Sequence, residues 1–393
     1  MNRMLRINVF AVLILTCLGF SGCMPQIIIR QPLPEDYADS ASIDGIPFAR
    51  FWGDRVTDQL LERIEQLQPD WDSFASDSFD ILAISGGGAN GAFGAGLLVG
   101  WTAAGDRPTF RIVTGISTGA LIAPFAFLGP DMDAELERFY TTTSTRDIMT
   151  RRNLLFLLRL DSVADSTPLR NKLLDLFSPE MIAAIAAEHK KGRRLYIGTT
   201  HLDAGRPMIW DIGEIANSNI PGVATLLADI FLASVSIPGV FPPVYIQVEA
   251  NGRTYDEMHV DGGTSSQVFF SPPALRAEKF LEIIQMEDRK LRIFVIRNSR
   301  IVSDWVAVSP RVPAIAQRSV SALIRSQGNG DVNQIYLRSL WDGIDFNLAY
   351  IPESFTLEPQ EDFDTKYMQA LFDLGFTQAK EGFPWQRGPI GFK

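Results

Sequence analysis

The chain is poor in cysteine, histidine and positive charge. Among its 393 residues are only three histidines and two cysteines, Cys17 and Cys23. Acidic residues outnumber basic ones, 46 against 36, which gives a net charge of −10. With no cysteine beyond residue 23, a disulfide framework is excluded for the body of the chain. The acidic balance argues against nucleic acid as a partner and against electrostatic docking on anionic lipid.

Long apolar runs are scarce as well, and the N-terminal one at 7–20 is too short for a membrane-spanning helix of about 20 residues. Two arginines precede it and small residues follow, a pattern typical of a signal peptide. The residues before Cys23 resemble a bacterial lipobox, in which the cysteine becomes the lipidated first residue. We expect a signal peptide at 1–22 and a lipid anchor on Cys23. A plain signal peptide cut nearby, or an uncleaved N-terminal anchor, is the alternative.

The anchor implies a cell-envelope location, with the protein held on a membrane. The residue after Cys23 is Met24, not the aspartate often linked to inner-membrane retention, so we expect the outer membrane if the host has one. Residues 23–76 are proline-rich and indicate a tether with one helix at 56–67. Residues 77–385 then indicate one large α/β domain with a C-terminal extension.

Two glycine-framed turns, at 86–91 and 115–119, follow one another within this domain. Each comes after a short apolar run typical of a buried strand, at 79–84 and 110–114, and each precedes a predicted helix. The right-handed crossover of such a βαβα unit makes the two strands parallel. Both turns therefore lie at the same edge of the sheet.

Ser117 occupies the centre of the second turn, with Gly115 and Gly119 two residues away on either side. This G-x-S-x-G pattern between a strand and a helix predicts a sharp nucleophile elbow, where a side chain at either flank would collide with neighbouring backbone. The elbow exposes the serine Oγ at a helix N-terminus, which favours developing negative charge. Ser117 is thus the candidate nucleophile.

The first turn allows three functions, a dinucleotide fingerprint, a phosphate cradle or an oxyanion hole, since each uses N–H groups at a helix N-terminus. The spacing of Gly86, Gly88 and Gly91 matches the dinucleotide pattern, but the next strand ends in the elbow and not in an acidic residue. No Gly-Lys-Ser/Thr follows for a phosphate loop. An oxyanion hole fits best, with Gly87, Gly88 and the N–H of Thr118 as donors.

A serine nucleophile needs a base, and few histidines are well placed. His189 lies in a charged segment and is expected to be a solvated cation at a helix end, while His201 follows a predicted strand. His259 and Asp261 precede Gly262 and Gly263 at another strand end, and in an extended strand both face the same side. Either could reach Ser117, although the scarcity of histidine favours Asp261.

Together these three blocks, at 85–91, 115–119 and 261–263, resemble the signature motifs of the patatin-like phospholipases, in the family's order. Softer similarities lie at 167–170, 199–205 and 233–243, so the resemblance covers about 79–296. It implies a three-layer α/β/α fold with a mainly parallel central sheet over the hydrolase domain. One departure is Asn90, which stands where many members carry Arg or Lys.

The resemblance also implies a calcium-independent lipid acyl hydrolase of the phospholipase A, lysophospholipase or esterase type, acting on phospholipid or another acyl ester without cofactor or metal. Ser117 is then the nucleophile and Asp261 the base, and the loop carrying Gly86, Gly87, Gly88 and Gly91 forms the oxyanion hole. A catalytically idle lipid- or partner-binding lipoprotein on the same fold is the alternative.

The rest of the chain predicts further elements of the same domain. Apolar runs indicate strands at 195–200, 291–296 and 346–351. Helices are expected at 312–340, with a break at 328–330, and at 363–380. The leucine-rich segment 153–160 is open to two interpretations, a buried helix or a lid over the site.

Overall fold

A computed structural model describes residues 30–66, 78–152, 161–270, 275–283, 289–303 and 305–389. The predicted signal peptide at 1–22, Cys23 and the leucine-rich segment 153–160 lie outside these residues. The described strands are β1 Arg50–Trp52, β2 Ser78–Ile84, β3 Ile112–Ile116, β4 Thr150–Arg151, β5 Ala164–Asp165, β6 Arg194–His201, β7 Arg206–Asp211, β8 Val244–Ala250, β9 Arg253–Asp261, β10 Lys290–Arg297 and β11 Asp345–Tyr350.

The helices cover both faces of the main sheet. They are α1 Asp58–Gln66, α2 Gly91–Ala104, α3 Thr118–Leu128, α4 Asp133–Thr142, α5 Thr145–Ile148, α6 Thr167–Leu176, α7 Pro179–Lys190, α8 Ile212–Asn217, α9 Val223–Val235, α10 Ala277–Ile283, α11 Val312–Asp342 and α12 Thr365–Lys380. Within the described residues, none of these is both long and apolar enough to cross a bilayer.

The main sheet has the order β1-β7-β6-β3-β2-β10-β11, and β8 and β9 extend it beside β6. Its centre, from β6 to β11, is parallel, whereas β1, β7, β8 and β9 pair antiparallel. The central strands are buried along almost their whole length, because helices cover both faces of a parallel sheet.

Alternate residues of β2 show the three layers. Leu82 and Ile84 point into one core, which the helices α2, α3, α9 and α12 share, while Ile81 and Ala83 point into a second core with residues of α1, α10 and α11. The three-layer α/β/α fold with a mainly parallel central sheet is therefore confirmed.

The predicted strands and helices are present with ends shifted by a few residues, but two expectations are corrected. Part of the predicted tether at 23–76 belongs to the folded body, because β1 pairs with β7 and α1 packs Leu60 and Ile64 into the second core. The break expected at 328–330 is also wrong, since α11 runs unbroken through it.

Candidate active site

Ser117 lies at the junction of β3 and α3 with a backbone conformation that L-residues rarely adopt, φ 54° and ψ −126°. The crowding on either side of Ser117 explains why Gly115 and Gly119 are glycines. A Cβ at Gly115 would lie 2.5 Å from the carbonyl oxygen of Gly119, and one at Gly119 would lie 2.3 Å from that of Ile84. The predicted elbow is therefore present, and its strain falls on the one residue whose side chain must project from the sheet.

The hydroxyl of Ser117 donates a hydrogen bond to the carboxylate of Asp261, with 2.8 Å between Oγ and Oδ2. The other carboxylate oxygen, Oδ1, accepts the N–H of Gly263 at 2.7 Å. Both residues are buried, with 8% and 5% of their surfaces exposed. Burial raises the pKa of Asp261 to about 7, although these two hydrogen bonds oppose the shift. The carboxyl group therefore titrates near neutral pH.

The strand that ends in Asp261 approaches the site in a different way from the two parallel strands. β9 runs antiparallel to β6, so that Asp261 lies opposite Thr199. In the next register position along β6, Gly198 lies opposite Ile116 of β3, which precedes the nucleophile. A Cβ at Gly262 would lie 2.4 Å from the carbonyl oxygen of Gly198, so the turn after Asp261 needs glycine to lie so close to the sheet.

His259, the rival base, contacts a buried polar cluster and not Ser117. Its Nδ1 lies 3.0 Å from Thr199 Oγ1 and its Nε2 lies 3.2 Å from Glu257 Oε2. Burial lowers its pKa to about 4, although Glu257 opposes the shift. Arg50 forms a buried ion pair with Glu257, which also neighbours His201. His259 is thus a neutral packing residue at neutral pH.

The other two histidines are structural. His189 is not the solvated cation expected from its sequence context: it is buried with only 6% exposed, and its Nε2 lies 3.2 Å from Glu214 Oε2. His201 is buried as well, and its Nδ1 accepts the N–H of Ala204 at 3.2 Å.

The glycine loop presents its N–H groups beside the elbow. Gly88 has φ 58°, a left-handed conformation that suits glycine. The N–H groups of Gly87, Gly88 and Thr118 have no acceptor among the described residues. Gly86 instead donates its N–H to the Gln267 carbonyl at 3.1 Å.

Gly91 is a close-packing position and not a donor. Its N–H is used within the loop, by the carbonyl oxygen of Gly88. A Cβ at Gly91 would lie 2.2 Å from Thr118 Oγ1. Of the four glycines expected to form the oxyanion hole, only Gly87 and Gly88 therefore have free donors.

Several residues that support the site carry no local sequence signal. Ser234 accepts the N–H of Ser117 at 3.1 Å, and Tyr140 donates to the Thr118 carbonyl at 3.0 Å.

Asn298, which follows β10, supports the start of the glycine loop through Ser85, with 3.0 Å between its Nδ2 and the Ser85 carbonyl oxygen. Tyr367 of α12 donates to the side chain of Asn90 at 2.6 Å. Of these residues, only Asn298 could have been anticipated from the sequence, because it follows a predicted strand.

A cleft of about 570 Å³ opens beside the glycine loop and is lined in part by Gly87 and Gly88. Its lining also includes the apolar side chains of Ile237, Val240 and Phe241, and residues 359–363. The cleft thus brings an apolar surface next to the free N–H donors.

Part of the chain is similar to a known protein family. Residues 82–274 match the family model of the patatin-like phospholipases. Among solved structures, VipD from Legionella pneumophila is similar at 12% identity and a TM-score of 0.35, over 79% of this chain and 68% of that one. The type III effector ExoU is similar at 13% identity and a TM-score of 0.20, over 78% of this chain and 53% of ExoU, about half its length.

Neither structural likeness is strong enough to bear on function, and no curated protein sequence matches the chain. The match at 82–274 spans both glycine-framed turns and Asp261. The chain therefore contains a domain of the patatin-like phospholipase family, whose members are lipid acyl hydrolases.

Proposed function

We propose that this protein hydrolyses acyl esters of lipids through a dyad of Ser117 and Asp261, as a phospholipase A, lysophospholipase or esterase. The observation that carries the proposal is the 2.8 Å hydrogen bond from Ser117 Oγ to Asp261 Oδ2 at a strained strand-to-helix elbow. A nucleophile within hydrogen-bond reach of a base is the geometry that acyl transfer requires.

In the first half-reaction, Ser117 Oγ attacks the ester carbonyl carbon while its proton passes to Asp261 Oδ2. The carbonyl oxygen becomes an oxyanion in the tetrahedral intermediate. The free N–H groups of Gly87, Gly88 and Thr118 are the donors proposed to receive it, and a single such donor contributes about 3 kcal/mol to a transition state. The intermediate collapses, the C–O bond to the alcohol breaks, and Asp261 returns the proton to the leaving alkoxide.

In the second half-reaction, water attacks the acyl-serine ester and Asp261 accepts a proton from it. A second tetrahedral intermediate collapses, releasing the fatty acid and restoring Ser117 Oγ–H with that proton. One carboxyl group thus serves as base and acid in turn, which suits a pKa of about 7. The apolar side chains of Ile237, Val240 and Phe241 in the cleft are the proposed contact for the acyl chain.

A fluorophosphonate probe tests the proposal because it reacts covalently with activated serines. We expect labelling of the wild-type protein on Ser117 and none for Ser117→Ala. Ser265→Ala, a matched change at a serine next to the Asp261 turn, should still be labelled. An unlabelled but folded wild-type protein would favour the idle lipid-binding alternative.

We also propose that Cys23 carries a lipid anchor that holds the protein on a membrane of the cell envelope, by preference the outer one. The support is the leader pattern of two arginines, an apolar run and small residues before Cys23. Cys23→Ser should shift the protein from the membrane fraction to a soluble or unprocessed form. Unchanged processing and membrane association of Cys23→Ser would contradict the anchor.

A further inference from the structure

The first half of α11 is amphipathic in the reverse sense to an ordinary surface helix. Between residues 312 and 327 its most exposed apolar side chains are Val312, at 81%, and Leu323, at 69%. The half-buried positions on its other side include Arg318 and Arg325. A helix that packs on a protein core turns its apolar stripe inward. Here the apolar stripe faces outward.

The loop before this helix also exposes apolar side chains. Trp305 is fully exposed and Val306 is 55% exposed. We call Trp305, Val306, Val312, Ile315, Val320 and Leu323 the 305–323 surface. Each of these six side chains is at least half exposed, and exposed apolar side chains grouped within so short a stretch of chain indicate an interaction site.

This surface lies beyond the edge of the sheet that carries the active site. β10 is parallel to β2 and β3, so its end at Arg297 lies at the edge where Ser117 is found. The middle of α11 is fixed there: Asn329 Nδ2 donates to the Ile301 carbonyl at 3.0 Å, and Asp331 accepts the N–H of Gln267 at 2.6 Å. Residues 312–327 precede these contacts and include no buried position.

We propose that the 305–323 surface docks on a lipid bilayer and presents the catalytic edge to its substrate. The inference rests on the proposed function for the nature of that substrate. It concerns a contact made by this chain's own folded residues, separate from the anchor on Cys23.

Charge and aromatic content favour a bilayer as the occupant. Residues 305–327 contain three arginines and no acidic residue, in a chain whose net charge is −10. Arg311, exposed at the start of the helix between Trp305 and Val312, suits lipid phosphates, and tryptophan is enriched at membrane interfaces.

An environment-sensitive fluorophore on Leu323→Cys tests the contact locally, with Leu340→Cys as the matched control. Leu340 is 61% exposed on the second half of the same helix. Both changes are made in the full chain with Ser117→Ala, so lipid is not consumed and the result does not depend on catalysis. The parent chain, labelled in parallel, gives the background from Cys17 and Cys23.

With vesicles of phosphatidylcholine, with or without phosphatidylglycerol, the label at 323 should shift to the blue and be quenched by brominated lipid, while the label at 340 should not respond. This readout is local, so an N-terminal anchor does not produce it. No response at 323, or equal responses at both positions, would overturn the proposal. So would a label at 323 that is already shielded without vesicles and becomes exposed on dilution, because that result indicates a second copy.

Hydrolysis rates test whether this docking supports activity on vesicles. Leu323→Glu should hydrolyse vesicle phospholipid about tenfold more slowly, while its kcat/KM for a soluble short-chain ester is unchanged. Leu340→Glu should change neither rate. Wild-type rates on vesicles for Leu323→Glu would refute the docking role. A wild-type protein inactive on both substrates would instead count against the proposed function and leave the fluorescence result standing.

Discussion

The residue on which the proposed chemistry depends most is Asp261, because its carboxyl group must be ionised to accept a proton. Burial raises its pKa to about 7, so below that pH the group is increasingly protonated and cannot act as a base. We expect kcat/KM for a short-chain ester to rise with pH and to level off above about pH 7. Initial rates across this pH range measure the acid limb directly.

Two variants assign this acid limb to its residue. Asp261→Asn should be inactive although folded. His259→Gln should keep a substantial fraction of the activity and the same acid limb, because the imidazole contacts Thr199 and Glu257 and not Ser117. The reverse ranking of these two variants would rule out the Ser-Asp assignment.

At this scale the sequence predicts what is local and misses what is distant. The elbow could be predicted because Gly115, Ser117 and Gly119 are consecutive parts of one turn, and their crowding is a matter of backbone contact. Ser234 orients the same turn from 117 residues away, so no spacing rule reaches it. The N–H groups of Gly86 and Gly91 are not available to a substrate, because each already donates to a backbone carbonyl, and the glycine pattern does not reveal these acceptors.

Among the elements, the antiparallel part of the sheet was the least predictable. A parallel βαβ unit can be predicted from its alternating apolar runs and helices. In contrast, β9 is the second strand of an antiparallel hairpin with β8. The turn of that hairpin, Asn251-Gly252, has φ 49° and 70°. Asn-Gly between two strands is a strong hairpin signal, and it could have fixed the direction of β9.

The crossing of α2 and α12 depends on glycine at the contact. A Cβ at Gly96 would lie 2.0 Å from the carbonyl oxygen of Phe372, and one at Gly100 would lie 2.2 Å from that of Phe376. Because both obstacles are backbone atoms, the helices must move apart to admit a methyl group. We expect Gly96→Ala to lower the free energy of unfolding by about 2 kcal/mol, as measured by urea denaturation.

Gly330→Ala is the matched control for this change. Gly330 is also a helical glycine, within α11, but a Cβ there meets no atom within 4 Å. The substitution should therefore raise the free energy of unfolding by up to about 1 kcal/mol, the usual difference in helix propensity. Equal effects of Gly96→Ala and Gly330→Ala would mean that α2 and α12 tolerate separation.

Across the whole molecule, the N-terminal segment is tied to the strand that carries the candidate base. Arg50 of β1 forms an ion pair with Glu257 of β9, and the carboxylate of Glu257 is completely buried. The Arg50 charge, with the neighbouring histidines, holds the pKa of Glu257 well below its usual range, although burial alone would raise it. The proline content of residues 23–76 indicated a tether. The strand β1 within it is only three residues long, too short to show an alternating apolar pattern, so its pairing with β7 could not be predicted from the sequence.

Two groups on β9 couple protonation to global stability in opposite directions. The pKa of Asp261 is about 7 in the folded protein against 3.8 unperturbed, so stability falls as pH rises between these values. The pKa of His259 is about 4 against 6.5, so the unfolded chain binds the extra proton and stability rises with pH in that window. In the wild-type protein the two slopes oppose each other between about pH 4 and about pH 6.5.

Removing either group should reveal the slope of the other. The free energy of unfolding of Asp261→Asn should rise with pH from about 4 to about 6.5. Above pH 7 it should exceed that of the wild type by up to about 4 kcal/mol, because the pKa of Asp261 is about 7 in the folded protein against 3.8 unperturbed. His259→Gln should instead lose stability with rising pH. Urea denaturation of the three proteins from about pH 4 to about pH 8 gives these slopes, which a constant packing cost of either substitution does not alter. If Asp261→Asn followed the wild type in parallel across this range, the carboxyl group would have an ordinary pKa, and its proposed role as a base tuned by burial would be contradicted.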